Sequence, residues 1–135
     1  MTTQRLIDNL VTYLTANTPD ESISVVDETQ RAEIELPTIA VAIASAEPHS
    51  VALVNVQRCQ VEITLRTHSG DEGGTDPESW SDLIETILND PSLIKANCND
   101  QIRIDFWNYE GAETTWDESV RNVKFSAQCL VTRTL

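Results

Sequence analysis

Several things are scarce in this 135-residue chain, and each scarcity removes a class of function. Basic side chains are few: 9 Lys and Arg stand against 22 Asp and Glu, for a formal charge of −13. Binding to a nucleic-acid backbone is driven by Lys and Arg displacing counterions, so that balance argues against it, and against docking on anionic lipid. Long apolar runs are missing as well; the longest, around residues 39–46, falls far short of the roughly 20 residues that span a bilayer. The N-terminal "MTTQRLIDNLVTYL" has no basic start and no following apolar stretch, so no signal peptide is expected. Cysteine is limited to Cys59, Cys98 and Cys129, an odd number without CxxC spacing. Reduced core thiols are expected, and neither a disulfide framework nor a metal site.

Catalytic signatures are equally sparse. His49 and His68 have no HxxxH or HExxH neighbourhood, and the chain has no GxSxG, phosphate loop or dinucleotide fingerprint. No enzyme activity, cofactor or metal is expected. Three of the four glycines fall in "HSGDEGGTDPES", which predicts a flexible loop over 68–76, a candidate arm that orders on docking.

What the chain does contain is a set of clear periodicities. Leu6, Leu10, Tyr13 and Leu14, widened by Ile7 and Val11, predict an amphipathic helix over 3–16. "ISVV" at 23–26 is a short strand candidate. In "ELPTIAVAIASAEP" the bulky Ile39, Val41 and Ile43 alternate with Ala40, Ala42 and Ala44. Successive strand residues point to opposite faces, so one face is branched and the other nearly smooth, and both look suited to being covered. A second long strand follows, with Cys59, Val61, Ile63 and Leu65 alternating strictly against polar residues. Just before it the apolar parity slips, which predicts a bulge or bend near Asn55–Arg58.

Trp80, Leu83, Ile84, Ile87 and Leu88 predict a second helix, capped by Asp76 with Pro77 or by a Thr75–Glu78 capping box. "SLIKA" adds a further turn. "IRIDF" reads as a strand with Ile102, Ile104 and Phe106 inward, "WNYEGAETTWDES" as a loop, and "NVKFSAQCLV" as a closing strand. Length and order predict a single α+β domain over 1–135, with a mainly antiparallel sheet and two main helices packed on one face.

Surface candidates for assembly follow from composition and position. Trp107, Tyr109 and Trp116 fall in the expected loop, where aromatics serve as interface anchors. The acidic run over 71–90, with Asp71 and Glu72 at its start, faces a C-terminal segment bearing Arg121 and Lys124 and no acid after Glu118. Opposite charge at the two places would let identical subunits meet head to tail in a ring, or pair within one subunit. Ala40, Ala42 and Ala44 complete the candidate interface, as the smooth face that another layer could approach closely.

The order of these pieces resembles the tail terminator proteins of long-tailed bacteriophages and their tail-completion and neck relatives. The likeness covers roughly residues 3 to 133 and is most specific at Leu36, Pro37, Ile39, Val41 and the Trp80–Leu88 helix. It implies a homo-hexameric ring at the head-proximal end of the tail tube, part of the virion tail or neck and made in the host cytoplasm. Implied partners are the tail tube protein, a neck or stopper protein and, in a contractile tail, the sheath, with DNA passing through the lumen without specific binding. The resemblance brings no catalytic residues. Alternatives are a head–tail connector or stopper, and a small acidic adaptor for a basic protein.

Overall fold

The computed structural model describes residues 2–17, 24–27, 37–50, 53–68, 77–90, 102–117 and 120–133. Two helices, α1 (Thr2–Asn17) and α2 (Pro77–Leu88), accompany five strands: β1 (Ser24–Asp27), β2 (Thr38–Ser50), β3 (Leu53–His68), β4 (Ile102–Asp117) and β5 (Val120–Arg133). The strands form one sheet in the order β1-β2-β3-β5-β4, an α+β fold. The sheet is mixed, because β1 runs parallel to β2 while every other neighbouring pair is antiparallel. Four residues of "ISVV" carry an apolar signal but no directional one, so the parallel pairing was not legible in them.

Alternation sorts the long strands into two faces. On β3 the residues Cys59, Val61, Ile63 and Leu65 are buried, and on β5 Val123, Phe125, Ala127, Cys129 and Val131. They meet side by side, Ile63 opposite Phe125 and Leu65 opposite Val123. Ile39 and Val41 of β2 extend the same rows, opposite Leu65 and Ile63. Leu6, Leu10, Tyr13 and Leu14 of α1 and Trp80, Ile84, Ile87 and Leu88 of α2 join these residues in one hydrophobic core. Each fully buried Leu or Ile contributes about 1.5–3 kcal/mol, so this face carries most of the stabilisation.

Polar contacts fix the helices locally. Gln4 Nε2 donates to Asp8 Oδ1 at 2.9 Å and to Asp27 Oδ2 at 3.2 Å, tying α1 to β1. Burial, with the nearby Asp90 charge, pushes the Tyr13 phenol above its ordinary range.

Register irregularities bend the sheet at four places. One extra residue, Ala44, sits between Ile43 and Ser45 of β2. Between the pairs Pro48–Gln57 and Ser50–Leu53, β3 advances further than β2, at the place where the apolar parity slips. On β4, shifts lie between Ile104 and Phe106 and between Tyr109 and Gly111. Gly111 adopts φ +120°, a conformation L side chains rarely take, so glycine suits this bulge. The capping residues Thr75 and Asp76, the 69–76 stretch and "SLIKA" lie outside the described residues.

Candidate assembly surface

The largest departure from the sequence reading is β4. The expected loop from Trp107 onward is strand, paired with β5 up to Asp117. The extra residue at Asp105 reverses the alternation that Ile102 and Ile104 establish. Arg103 Nε donates to Asp105 Oδ1 at 2.6 Å, and the Thr132 hydroxyl donates to Asp105 Oδ2, so both oxygens of the bulged carboxylate are held. Past the bulge Trp107 points into the core and Phe106 points out, the reverse of the expected arrangement.

Trp107 is therefore no exposed anchor. Its indole Nε1 donates to the Leu88 carbonyl at 2.9 Å. That carbonyl belongs to the last turn of α2, where helix acceptors have no intrahelical partner. Tyr109, half-buried, donates its hydroxyl to Glu85 Oε2 at 3.1 Å. Burial, the hydrogen bond to Glu85 and the Glu85 charge push its phenol up to about 12. Together the two aromatics bind β4 to α2. Trp116 alone of the three stays open, 58% exposed, on the far end of the strand.

The other sequence candidates divide similarly. Ala40 is 0% exposed, already covered within its own chain, so it offers no surface to a neighbour; Ala42 is half-buried and Ala44 is exposed. Lys124 Nζ lies 3.3 Å from Glu62 Oε2, so the terminal cation pairs inside its own subunit. Arg121 Nη1 makes a long contact, 3.5 Å, with Ser81 Oγ of α2. Asp71 and Glu72 lie outside the described residues.

The sheet face opposite the core is the surface the sequence reading missed. It carries Gln60, Glu62, Thr64 and Arg66 of β3 and Asn122, Lys124, Ser126, Gln128 and Leu130 of β5, none of them fully buried. These side chains tie laterally: Arg66 Nε donates to Asn122 Oδ1 at 2.9 Å, and Gln60 Nε2 to Glu110 Oε1 at 2.6 Å. The Gln60–Glu110 contact is exposed and worth about 1 kcal/mol, so it orders the face without contributing much stability. Across it runs the row Glu47, Arg58, Leu130, Phe106, one residue from each of four strands. Phe106 is 47% exposed, and with Leu130, Arg58 and Gln128 it lines a surface depression of about 300 Å³. The signal for Phe106 was present: the apolar phase slips from 104 to 107 just as it slips near 55.

Among the described residues, no group of three or more His, Cys, Asp or Glu could hold a metal ion. No helix there is long and apolar enough to cross a membrane. No protein-family model matches this chain, and no curated protein matches it.

Proposed function

We propose that this protein is a structural component of a long-tailed phage particle. In this reading it forms a hexameric ring at the head-proximal end of the tail tube, ends tube polymerisation and joins the tail to the neck. The observation that carries the reading is the β4 strand. It is 16 residues long and, among the described residues, pairs only with β5. An edge strand offers a row of unpaired N–H and C=O groups to which another chain can add.

Beside that edge Phe106 and Leu130 give an apolar spot on a polar face, the composition of a contact surface that stays soluble before assembly. In this reading both helices pack on the core-bearing face, as in a tail-terminator-like fold, which leaves the polar face to partners; the core that residues of both helices share with the strands supports it. A ring carrying a formal charge of −13 per subunit would not hold a passing duplex, which suits a lumen for DNA. The same charge favours, as a second reading, an acidic adaptor that binds a basic protein as a monomer.

Electron microscopy of particles produced without this gene separates the possibilities. Tubes of abnormal, variable length are expected for a terminator. Tails of normal length that fail to join filled heads would make the protein a connector, and ordinary infectious particles would overturn both and favour the adaptor.

A further inference from the structure

Cys59 of β3 and Cys129 of β5 stand directly opposite each other in the antiparallel register. Cα atoms so opposed are about 4.5 or 5.5 Å apart, depending on the type of pair. Both separations fall within the roughly 4.4–6.8 Å that a disulfide bridges. Direct opposition also places the two side chains on the same face, here the core face, where both are 0% exposed and neither is in a disulfide. A hydrogen bond between them lowers the Cys59 thiol below its ordinary range, against the opposing effect of burial.

Their row places the pair near the edge of the core. It runs Ala46, Cys59, Cys129, Trp107 across four strands. Trp107 closes one end, but Ala46 at the other is small and exposed. The pair therefore sits one residue inside the rim of the core, beyond the bulge at Ala44.

We propose that Cys59 and Cys129 are a latent dithiol that a hydroperoxide converts into a cross-strand disulfide between β3 and β5. The Cys59 thiolate attacks the peroxide; its Sγ–O bond forms, the O–O bond breaks, and the departing oxygen takes a proton to leave as water or an alcohol. The resulting sulfenic acid is attacked by Cys129 Sγ. The S–S bond forms, the S–O bond breaks and water leaves. In sum two thiols give up two electrons and two hydrogens, and one hydroperoxide is reduced.

The test is hydrogen peroxide treatment of the whole folded protein, followed by intact mass and a peptide map without reductant. The expected result is loss of two hydrogens per chain, a link between the peptides carrying Cys59 and Cys129, and reversal by a dithiol reductant. Cys98→Ser should leave that link unchanged. In Cys129→Ser, Cys59 should stop as a sulfenic acid and be trapped by a cyclic 1,3-dione. Absence of the link at peroxide concentrations that oxidise a free thiol peptide would overturn the proposal. So would a link that requires Cys98, or oxygen addition at either cysteine in place of the bond.

Discussion

The two faces of the β3–β5–β4 sheet are built from the same strands and differ in almost every physical respect. On one, Ile63, Leu65, Val123 and Phe125 are buried in one core cluster with residues of α1 and α2, and even its polar contacts are structural, as with Trp107 on the Leu88 carbonyl. On the other, polar side chains tie laterally, Lys124 to Glu62 and Arg66 to Asn122, and Phe106 stands out from them 47% exposed. Stability resides on the first face, and the second is free to change with little cost to the fold. Adjacent residues make the contrast sharpest, since Phe106 and Trp107 are both aromatic and belong to opposite faces.

The strongest way to break this contrast is Trp107→Ala. It removes a large buried side chain and leaves the Leu88 carbonyl without its donor, so a loss of about 3–5 kcal/mol is expected. Urea denaturation of the purified variant measures it; a loss under about 1 kcal/mol would mean that β4 is not anchored through the core. Next comes Gly111→Ala. No atom lies within 4 Å of the position a Cβ would take, so the cost is that of the +120° φ alone, about 1–3 kcal/mol. An unchanged melting temperature would show that the bulge relaxes freely.

Tyr109→Phe is expected to have a smaller effect, about 0.5–1.5 kcal/mol for one hydrogen bond, with a distinct pH signature. Because the folded phenol is pushed up to about 12, the folded state holds its proton more tightly than the unfolded one. That contribution is fully present below the unfolded value of about 10 and is lost as pH rises through the folded one. Tyr109→Phe should remove this part of the alkaline decline. An identical decline in both proteins would contradict the Tyr109–Glu85 contact.

Much of the fold was legible because burial imposes period. Leu6 to Leu14 and Trp80 to Leu88 announced α1 and α2, and Cys59 to Leu65 and Val123 to Val131 announced two strands with their inward sides. The second half of β4 was not legible. "EGAE" has little β-forming character and interrupts the apolar alternation before Thr114–Trp116, so the pairing with β5 was not announced by its own residues. The bulge at Asp105 left a trace in the apolar phase slip from 104 to 107, but reading Phe106 inward overrode it; the extra residue reverses the side chains from Phe106 to Tyr109, up to the second shift. That one reversal exchanged Phe106 for Trp107 as the surface candidate. Ala40 failed for a related reason: a small residue signals close approach, but not whether a partner or its own chain makes the approach.

The central claim is that the face bearing Phe106 and Leu130 serves assembly. It is tested most directly by Phe106→Asp expressed in place of the wild-type protein during particle production. Stability in isolation should change by less than about 0.5 kcal/mol, as for surface substitutions generally. The account predicts a folded variant that is missing from purified particles, whose tails lose length control. A variant incorporated at wild-type levels, with tails of normal length, would contradict it.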